Sequence, residues 1–354
     1  MGALGMTKDR NIRGLEMVAG LTGLGAGLGA VLAGYAYLHE PFAIRLDQLR
    51  LRMPNSQGRL PAAGLRLLHL SDFHFRGADQ RERLKIERVR KITANLEYDL
   101  LIHTGDFLHY NAGMENVLAL MDILPKPRLG AFGVLGNHDY AVYNMSKAVG
   151  YTWGNFVAKE SRLAEGPPPT RPLTRREATR RYLRFALHLL HNRIDGEPTG
   201  TNDVPRLHYE LERRGMQMLH NRSVRLVGDQ FDITLAGVDD LQEGHPDLAA
   251  AFAGVDDSAP LLLLSHNPDI LQARAAHRAD LVLAGHTHGG QIVLPFLGAA
   301  HTQSDMLRRA EASGYLRIVD TQIYINRGLG EGIPLRFGAP PHISLITLLP
   351  EEEK

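Results

Sequence analysis

The sequence predicts an α/β fold, on three observations. Short apolar runs of strand length recur, at Leu65 to Leu70, Leu100-Leu101-Ile102, Leu261 to Leu264 and Leu281-Val282-Leu283. Polar segments with apolar residues at helical intervals lie between them, such as Leu84, Val89, Ile92 and Leu96, and a second near Met114 to Ile123. Each run stops within a few residues at glycine, aspartate or histidine. An apolar run that ends this way reads as a buried strand opening into a tight loop. Strands alternating with helices, with acid or imidazole at the strands' carboxyl ends, is the usual α/β layout for a site.

The chain has 354 residues, enough for one large domain or two ordinary ones with ample core. Its formal net charge is +1, which makes no general case for nucleic acid or an acidic partner. It has no cysteine, which excludes disulfides, thiolate-held zinc and thiol catalysis and leaves the compartment open. Any metal must therefore be held by His, Asp, Glu or Asn.

In chain order, residues 1–16 form an N-terminal tail. The 22 residues from Met17 to Leu38 carry no formal charge. At about 1.5 Å per residue they are long enough to cross a hydrocarbon core of roughly 30 Å. We read 17–38 as an uncleaved transmembrane anchor. The alternative is a cleaved signal peptide, with Val31-Leu32-Ala33 or Gly34-Tyr35-Ala36 at the cleavage site. Lys8, Arg10 and Arg13 precede the span and Arg45, Arg50 and Arg52 follow it, so the basic residues nearly balance. The nearer cluster is N-terminal, which leans towards a catalytic domain outside the cytosol. Residues 39–62 read as a polar linker broken by Pro54, Asn55, Gly58 and Pro61, and 63–350 as the globular domain.

Five blocks in that domain carry chemistry: Asp72-Phe73-His74, Gly105-Asp106, Gly136-Asn137-His138-Asp139, His266-Asn267 and Gly285-His286-Thr287-His288-Gly289. In extended backbone residues i and i+2 point the same way, so the first and last blocks each send two polar side chains to one side of a cavity. Imidazole is the commonest metal ligand near neutral pH, and the flanking glycines allow close backbone approach. Further strands are expected at 233–238, 316–319, 323–326 and 343–348, with a helix over 269–276. Asp239 and Asp240 read as turn residues near the site.

Together the five blocks resemble the calcineurin-like metallophosphoesterase family, over about residues 64–349. More closely they resemble its membrane-anchored bacterial branch, on Gly285 to Gln291, Arg327-Gly328-Leu329-Gly330 and Pro334-Leu335-Arg336-Phe337-Gly338. That branch is similar to UDP-diacylglucosamine pyrophosphohydrolases and less specific phosphodiesterases. The resemblance implies two facing β-sheets flanked by helices, a four-layer sandwich. It implies one divalent ion on Asp72, His74, Asp106 and His288, and a second on Asp106 as bridge, Asn137, His266 and His286. It also implies a bridging hydroxide as nucleophile, with His138 as general acid and Asp139 orienting the His138 ring. Two divalent ions against two carboxylates and one hydroxide leave about one positive charge to attract a phosphate oxygen. An oxygen and nitrogen ligand set without thiolate suits Mn²⁺, Fe or Zn²⁺, with Mn²⁺ favoured.

Arg327 is a candidate phosphate contact, or else a solvated loop residue. His69, His103 and His109 flank the blocks, match no ligand position and read as structural. His342 stands where the branch usually carries glutamate, which leaves that position without an assigned role.

An insertion at about 141–205 departs most from the family. It carries Pro167-Pro168-Pro169, then Arg175, Arg176, Arg180, Arg181 and Arg184 against Glu177 alone. Leu183, Leu187, Leu190 and Ile194 fall at helical spacing, so the stretch reads as a basic amphipathic helix. It is either a surface helix packed on the domain or a lid lying on anionic headgroups. Nucleic acid is not expected as a partner, since no aromatic platform accompanies the arginines. The expected function is a membrane-anchored, binuclear phosphodiesterase or pyrophosphatase on a lipid-linked substrate. The alternatives are a tethered, broad-specificity phosphodiesterase or phosphatase on soluble phosphorylated molecules, and a metal-binding membrane scaffold without turnover.

Overall fold

The computed structural model describes residues 27–56, 58–77, 80–163, 172–191 and 198–352. The apolar runs become the middles of two six-stranded sheets. In the first, β2 (Leu65–Leu70), β3 (Leu100–Thr104), β4 (Gly130–Val134) and β7 (Met216–Met218) run parallel. Beyond β2 lie β16 (His342–Leu349), antiparallel to it, and β1 (Arg45–Arg52) at the edge. In the second, β9 (Phe231–Gly237), β10 (Leu261–Leu264), β11 (Leu281–Ala284) and β15 (Thr321–Ile325) are parallel. Antiparallel β8 (Arg222–Gly228) and β14 (Gly314–Ile318) close its two sides.

Every residue of β3, β10 and β11 is buried, which is why β10 and β11 are apolar throughout instead of alternating. Leu67, Leu100 and Ile102 of the first sheet pack against Leu235, Leu262 and Leu283 of the second. The outer face of the first sheet lies under α2 (Gln80–Thr93), α3 (Met114–Ile123) and α7 (Val204–Arg213). The outer face of the second meets α8 (Leu248–Ala251) and two 3-10 turns, through Ala251, Ile270 and Ala276. The layers are helix, sheet, sheet, helix, as the resemblance implied.

Two expectations are corrected. The helix over 269–276 is instead a pair of 3-10 turns, Pro268–Gln272 and Arg274–Arg278, because Ala273 between them is extended at ψ 118°. The 39–62 linker is not all connector, since β1 lies within it and pairs along its whole length with β16. Its interleaved arginines hid it: an edge strand exposes alternate residues and reads as polar.

Residues 17–26 of the expected anchor lie outside the described residues. Residues 27–38 form a helix, α1, whose Leu28, Val31, Leu32 and Leu38 are exposed. Among the described residues no helix is long and apolar enough to cross a membrane. The end of α1 is docked: the backbone N–H of Arg336 donates to the Ala36 carbonyl at 2.9 Å, and the Tyr35 ring stands edge-on to Phe337.

After the short α4 (Asn137–Tyr140), strands β5 (Ala141–Tyr143) and β6 (Pro198–Thr201) pair antiparallel. Between them lie α5 (Met145–Leu163) and α6 (Arg175–His191). The leucine stripe expected on α6 does not hold at Leu183, which is exposed. Ile194 lies outside the described residues. Aromatic residues join the two helices instead: Phe185 meets Trp153 edge-on at 4.8 Å, and Tyr182 stacks on Trp153 at 5.2 Å.

Candidate metal centre

The carboxyl ends of β2, β3, β4, β10 and β11 converge, and each contributes a block. Five of the side chains sit on left-handed backbone: Asp72 (φ 50°), His74 (46°), Asp106 (58°), His286 (70°) and His288 (51°). Such strain costs about 1–3 kcal/mol per residue and persists where the fold over-determines it. Two glycines make room: a Cβ at Gly285 would lie 2.3 Å from Asp72 Oδ2, and one at Gly136 2.3 Å from Asp106 Oδ1.

Asp106 sits centrally. Its Oδ2 is 3.1 Å from His74 Nε2 and 3.2 Å from His266 Nε2, while its Oδ1 accepts the backbone N–H of His138 at 2.8 Å. Asp72 accepts the His286 N–H on both oxygens at 3.1 Å, and its Oδ1 lies 3.8 Å from both His74 Nε2 and His288 Nε2. Ligand atoms of Asp72, His74 and His288 fall within 4.8 Å of one another, as do those of Asp72, Asp106 and His266. Asn137, at the start of α4, is buried with its Oδ1 lacking any hydrogen-bond partner among the described residues.

The donor set fits divalent ions. His266 Nδ1–H donates to the Thr104 carbonyl at 2.7 Å, and His286 Nε2–H donates to the Gln303 carbonyl at 3.1 Å. Those bonds orient the two rings, as outer-shell partners of metal-bound imidazoles do. His266 Nε2 and His286 Nδ1 then face each other at 3.2 Å. Neutral rings would set two lone pairs against each other, and only a proton or a cation resolves that. A buried acceptor such as Asn137 Oδ1 left unpaired costs about 1–3 kcal/mol; a cation satisfies it.

Without metal the cluster is strongly polarised. Burial works against charge on Asp72 and Asp106, but the surrounding imidazoles hold both carboxyls well below the usual range. Burial would likewise lower His266, yet the Asp106 carboxylate overrides it and pushes the ring up to about 10. Burial and the neighbouring His74 hold His138 down at about 3.

One implied role is corrected. Asp139 does not orient His138: its oxygens accept the backbone N–H groups of Asp106, Leu108 and Gly136, each at 2.9 Å. No hydrogen bond joins it to the His138 ring among the described residues, and His138 Nδ1 is unpartnered. Asp139 ties the β3 and β4 loops together instead. His69 and His103 are structural as read: His69 Nε2 meets Thr104 Oγ1 at 2.9 Å, and His103 stacks on Phe107. His109 also touches the site. Its Nδ1 lies 3.3 Å from His74 Nδ1, and its ring stacks on His138 at 4.9 Å. Asp239 and Asp240 are turn residues, Asp240 Oδ2 accepting the N–H groups of Gln242 and Glu243. Arg327 packs beneath Gly289 and donates from Nε to Ser313 at 3.0 Å. His342 gains a role: its Nδ1 is 3.0 Å from Asp47 Oδ2, and its Nε2 accepts the Arg327 N–H at 3.1 Å.

Residues 65–290 match the profile of the calcineurin-like phosphoesterase family, and the chain belongs to that family. It is similar to the UDP-2,3-diacylglucosamine pyrophosphatase LpxG of Chlamydia muridarum, at 32% identity over 324 residues, 88% of this chain and 91% of that one. It is 26% identical to the metallophosphoesterase YkuE of Bacillus subtilis, over 97% of this chain and 98% of that one. A transmembrane protein with metallophosphoesterase domain from Danio rerio is 25% identical, over 90% of this chain and 60% of that one. The family uses divalent metals, and the chain is a metal-dependent phosphoester hydrolase.

Proposed function

We propose that this hydrolase cleaves the pyrophosphate of a nucleotide-linked, acylated sugar at a membrane surface. The observation that carries the reading is a groove of about 1010 Å³ that holds none of the candidate ligands in its lining and adjoins them through the 301–304 segment. One wall is the segment around His301, Thr302 and Ser304, whose Gln303 carbonyl holds His286. Tyr151, Thr152 and Asn155 of α5, His188 of α6, and Phe296 and Leu297 also line the groove. A groove lined by both polar and apolar residues suits a substrate with a diphosphate head and acyl tails. The likeness to LpxG over most of both chains supports the same substrate class. In this reading α5 and α6 form the lid.

Asp72, His74, Asp106 and His288 would hold one ion, and Asp106, Asn137, His266 and His286 the other, with Mn²⁺ the favoured metal. When bound, the two ions neutralise phosphate charge and lower the pKa of water. The chain's own residues do the rest. Asp106 would serve both sets, and His138 would give a proton to the leaving oxygen. Burial keeps His138 neutral at rest; an arriving phosphate would raise its pKa, as an anion beside an imidazole does. Arg327, held through its N–H by His342, would contact phosphate.

Residues 17–38 would anchor the chain in the cell membrane. A uridine nucleotide is a cytosolic metabolite, so this substrate sets the catalytic domain on the cytosolic side, against the lean of the basic residues. The test uses the full chain with Mn²⁺ in mixed micelles, on a UDP-linked diacylglucosamine and on bis-p-nitrophenyl phosphate. We expect the lipid to be preferred far above the small diester. Equal or exclusive cleavage of the small diester would make the protein a tethered general phosphodiesterase.

A further inference from the structure

The most exposed large apolar side chain described is Phe296, at 108% of its reference area, with Leu297 beside it at 61%. Both sit in the turn between β12 (Val293–Leu294) and β13 (Gly298–Ala299), in the run Leu294-Pro295-Phe296-Leu297. The turn closes with the Leu297 N–H donating to the Leu294 carbonyl, and Phe296 takes φ 65°, a conformation that turns ordinarily give to glycine or asparagine. The fold thus spends backbone strain to hold an aromatic ring in water, which only a partner absent from the isolated chain makes favourable.

Where the turn is attached identifies that partner. The Val293 N–H donates to the Phe337 carbonyl at 2.6 Å, and the Phe337 N–H to the Gln291 carbonyl at 3.0 Å. Phe337 also meets the ring of Tyr35, and the preceding residue, Arg336, holds the Ala36 carbonyl. The base of the turn and the end of α1 therefore grip neighbouring residues of one strip. α1 is the described end of the 22-residue uncharged run, and it too exposes leucine and valine. Two apolar protrusions are thus fixed to one strip.

We infer that the 294–297 turn is a second membrane contact, a wedge that enters the headgroup–acyl boundary of the bilayer holding the N-terminal run. It brings the edge of the groove to the lipid surface, and it rests on the anchoring of residues 17–38 proposed above. Exposed apolar residues at the other end of the sheets give the contrast. Val319, 76% exposed, sits between β14 and β15, at the amino end of β15 and away from the site.

Because the chain has no cysteine, Leu297→Cys and Val319→Cys each create one labelling site, and the first keeps Phe296. Each full-length variant is labelled with an environment-sensitive nitrobenzoxadiazole dye. It is then reconstituted into phosphatidylethanolamine–phosphatidylglycerol vesicles with or without doxyl-labelled lipid, and no substrate is added. The dye at 297 is expected to shift to the blue and to be quenched several-fold more than the dye at 319. Adding Phe296→Asp should reduce that quenching. Equal quenching at the two positions overturns the wedge and leaves the turn to substrate or to a protein partner. If the unlabelled chain does not sediment with the vesicles, the anchor fails and the wedge with it. Quenching at 297 without hydrolysis of the lipid-linked sugar upholds the wedge and sinks the proposed substrate.

Discussion

The guanidinium of Arg336 donates to the backbone carbonyl of His288 at 3.2 Å, from a side chain with no exposure to solvent. The same group donates to the carbonyls of Arg327, Gly330 and Ala339. Glu331 supplies the counter-charge at 3.5 Å and is shared with buried Lys85. One fixed fork thus sets the position of His288, a candidate metal ligand, shapes the loop that carries Arg327, and through its own N–H docks α1. Removing one partner of a buried charge pair costs about 3–5 kcal/mol. Arg336→Leu should lose that much in urea unfolding and should bind Mn²⁺ more weakly by calorimetry. Arg336→Lys should recover only part, because an ammonium cannot reproduce the fork.

Asp106 should be the most damaging single position. It is the carboxylate that both His74 and His266 approach, so Asp106→Asn removes the charge common to the two ligand groups. Metal content measured by mass spectrometry should fall for both ions, with affinity down on the order of 100-fold or more, beyond the usual outer-shell effect. Loss of one ion with full retention of the other would exclude a bridging role.

Metal uptake should depend on pH through His266. With its metal-free pKa pushed up to about 10 by Asp106, the ring holds a proton at neutral pH that an incoming ion must displace. Apparent Mn²⁺ affinity should therefore rise with pH by up to about tenfold per unit, with proton release visible as a buffer-dependent binding enthalpy. The same shift fixes the sign for stability. Its contribution to the metal-free fold is full below the ordinary histidine pKa of about 6.5 and is lost as pH rises through about 10. Metal-loaded protein should not show that alkaline decline in thermal unfolding.

His138 should matter in proportion to how poor the leaving group is. If it gives a proton to the leaving oxygen, His138→Ala should slow a sugar-phosphate or alkyl diester by about 10²–10⁴. It should slow bis-p-nitrophenyl phosphate far less, since nitrophenolate leaves unaided. His109→Ala, which removes the ring stacked on His138, should move kcat in the same pattern by a smaller factor. Equal losses on both substrates would point to a damaged site and not to a missing acid.

The candidate ligand blocks were legible because parallel strands in an α/β fold end where the chemistry is, and i, i+2 pairs reach one cavity from a single loop. Asp72 and His74, or His286 and His288, can be read with no knowledge of the sheet around them. Arg336 could not be read that way. An arginine among prolines and glycines suggests a solvated loop, and its acceptors come from distant segments that only the tertiary fold brings beside it. His109 was missed for a related reason. It is carried back to the site by its N–H donating to the Phe75 carbonyl, a pairing across 34 positions of sequence. Asp139 was read by analogy as a partner of the histidine before it, whereas three backbone amides occupy its oxygens. On α6, periodicity marked Leu183, which is exposed, while Tyr182 and Phe185 beside it meet Trp153 of α5.

The α5–α6 pair offers the last test, because its internal contacts are separable from the metal centre. Trp153 meets both Tyr182 and Phe185, and the latter is among the buried side chains of the insertion. Burying an aromatic ring contributes several kcal/mol, and truncating one costs about 3–5 kcal/mol where neighbours cannot collapse. Trp153→Ala should therefore loosen the pair locally while the sheets, with their own core, unfold at nearly the same urea concentration. If the pair is a lid over the groove, the variant should keep its rate on bis-p-nitrophenyl phosphate and raise KM for the lipid-linked sugar. A proportional loss on both substrates would mean that α5 and α6 support the centre itself. No change on either would return them to ordinary surface packing. The KM-against-kcat split in mixed micelles decides among the three.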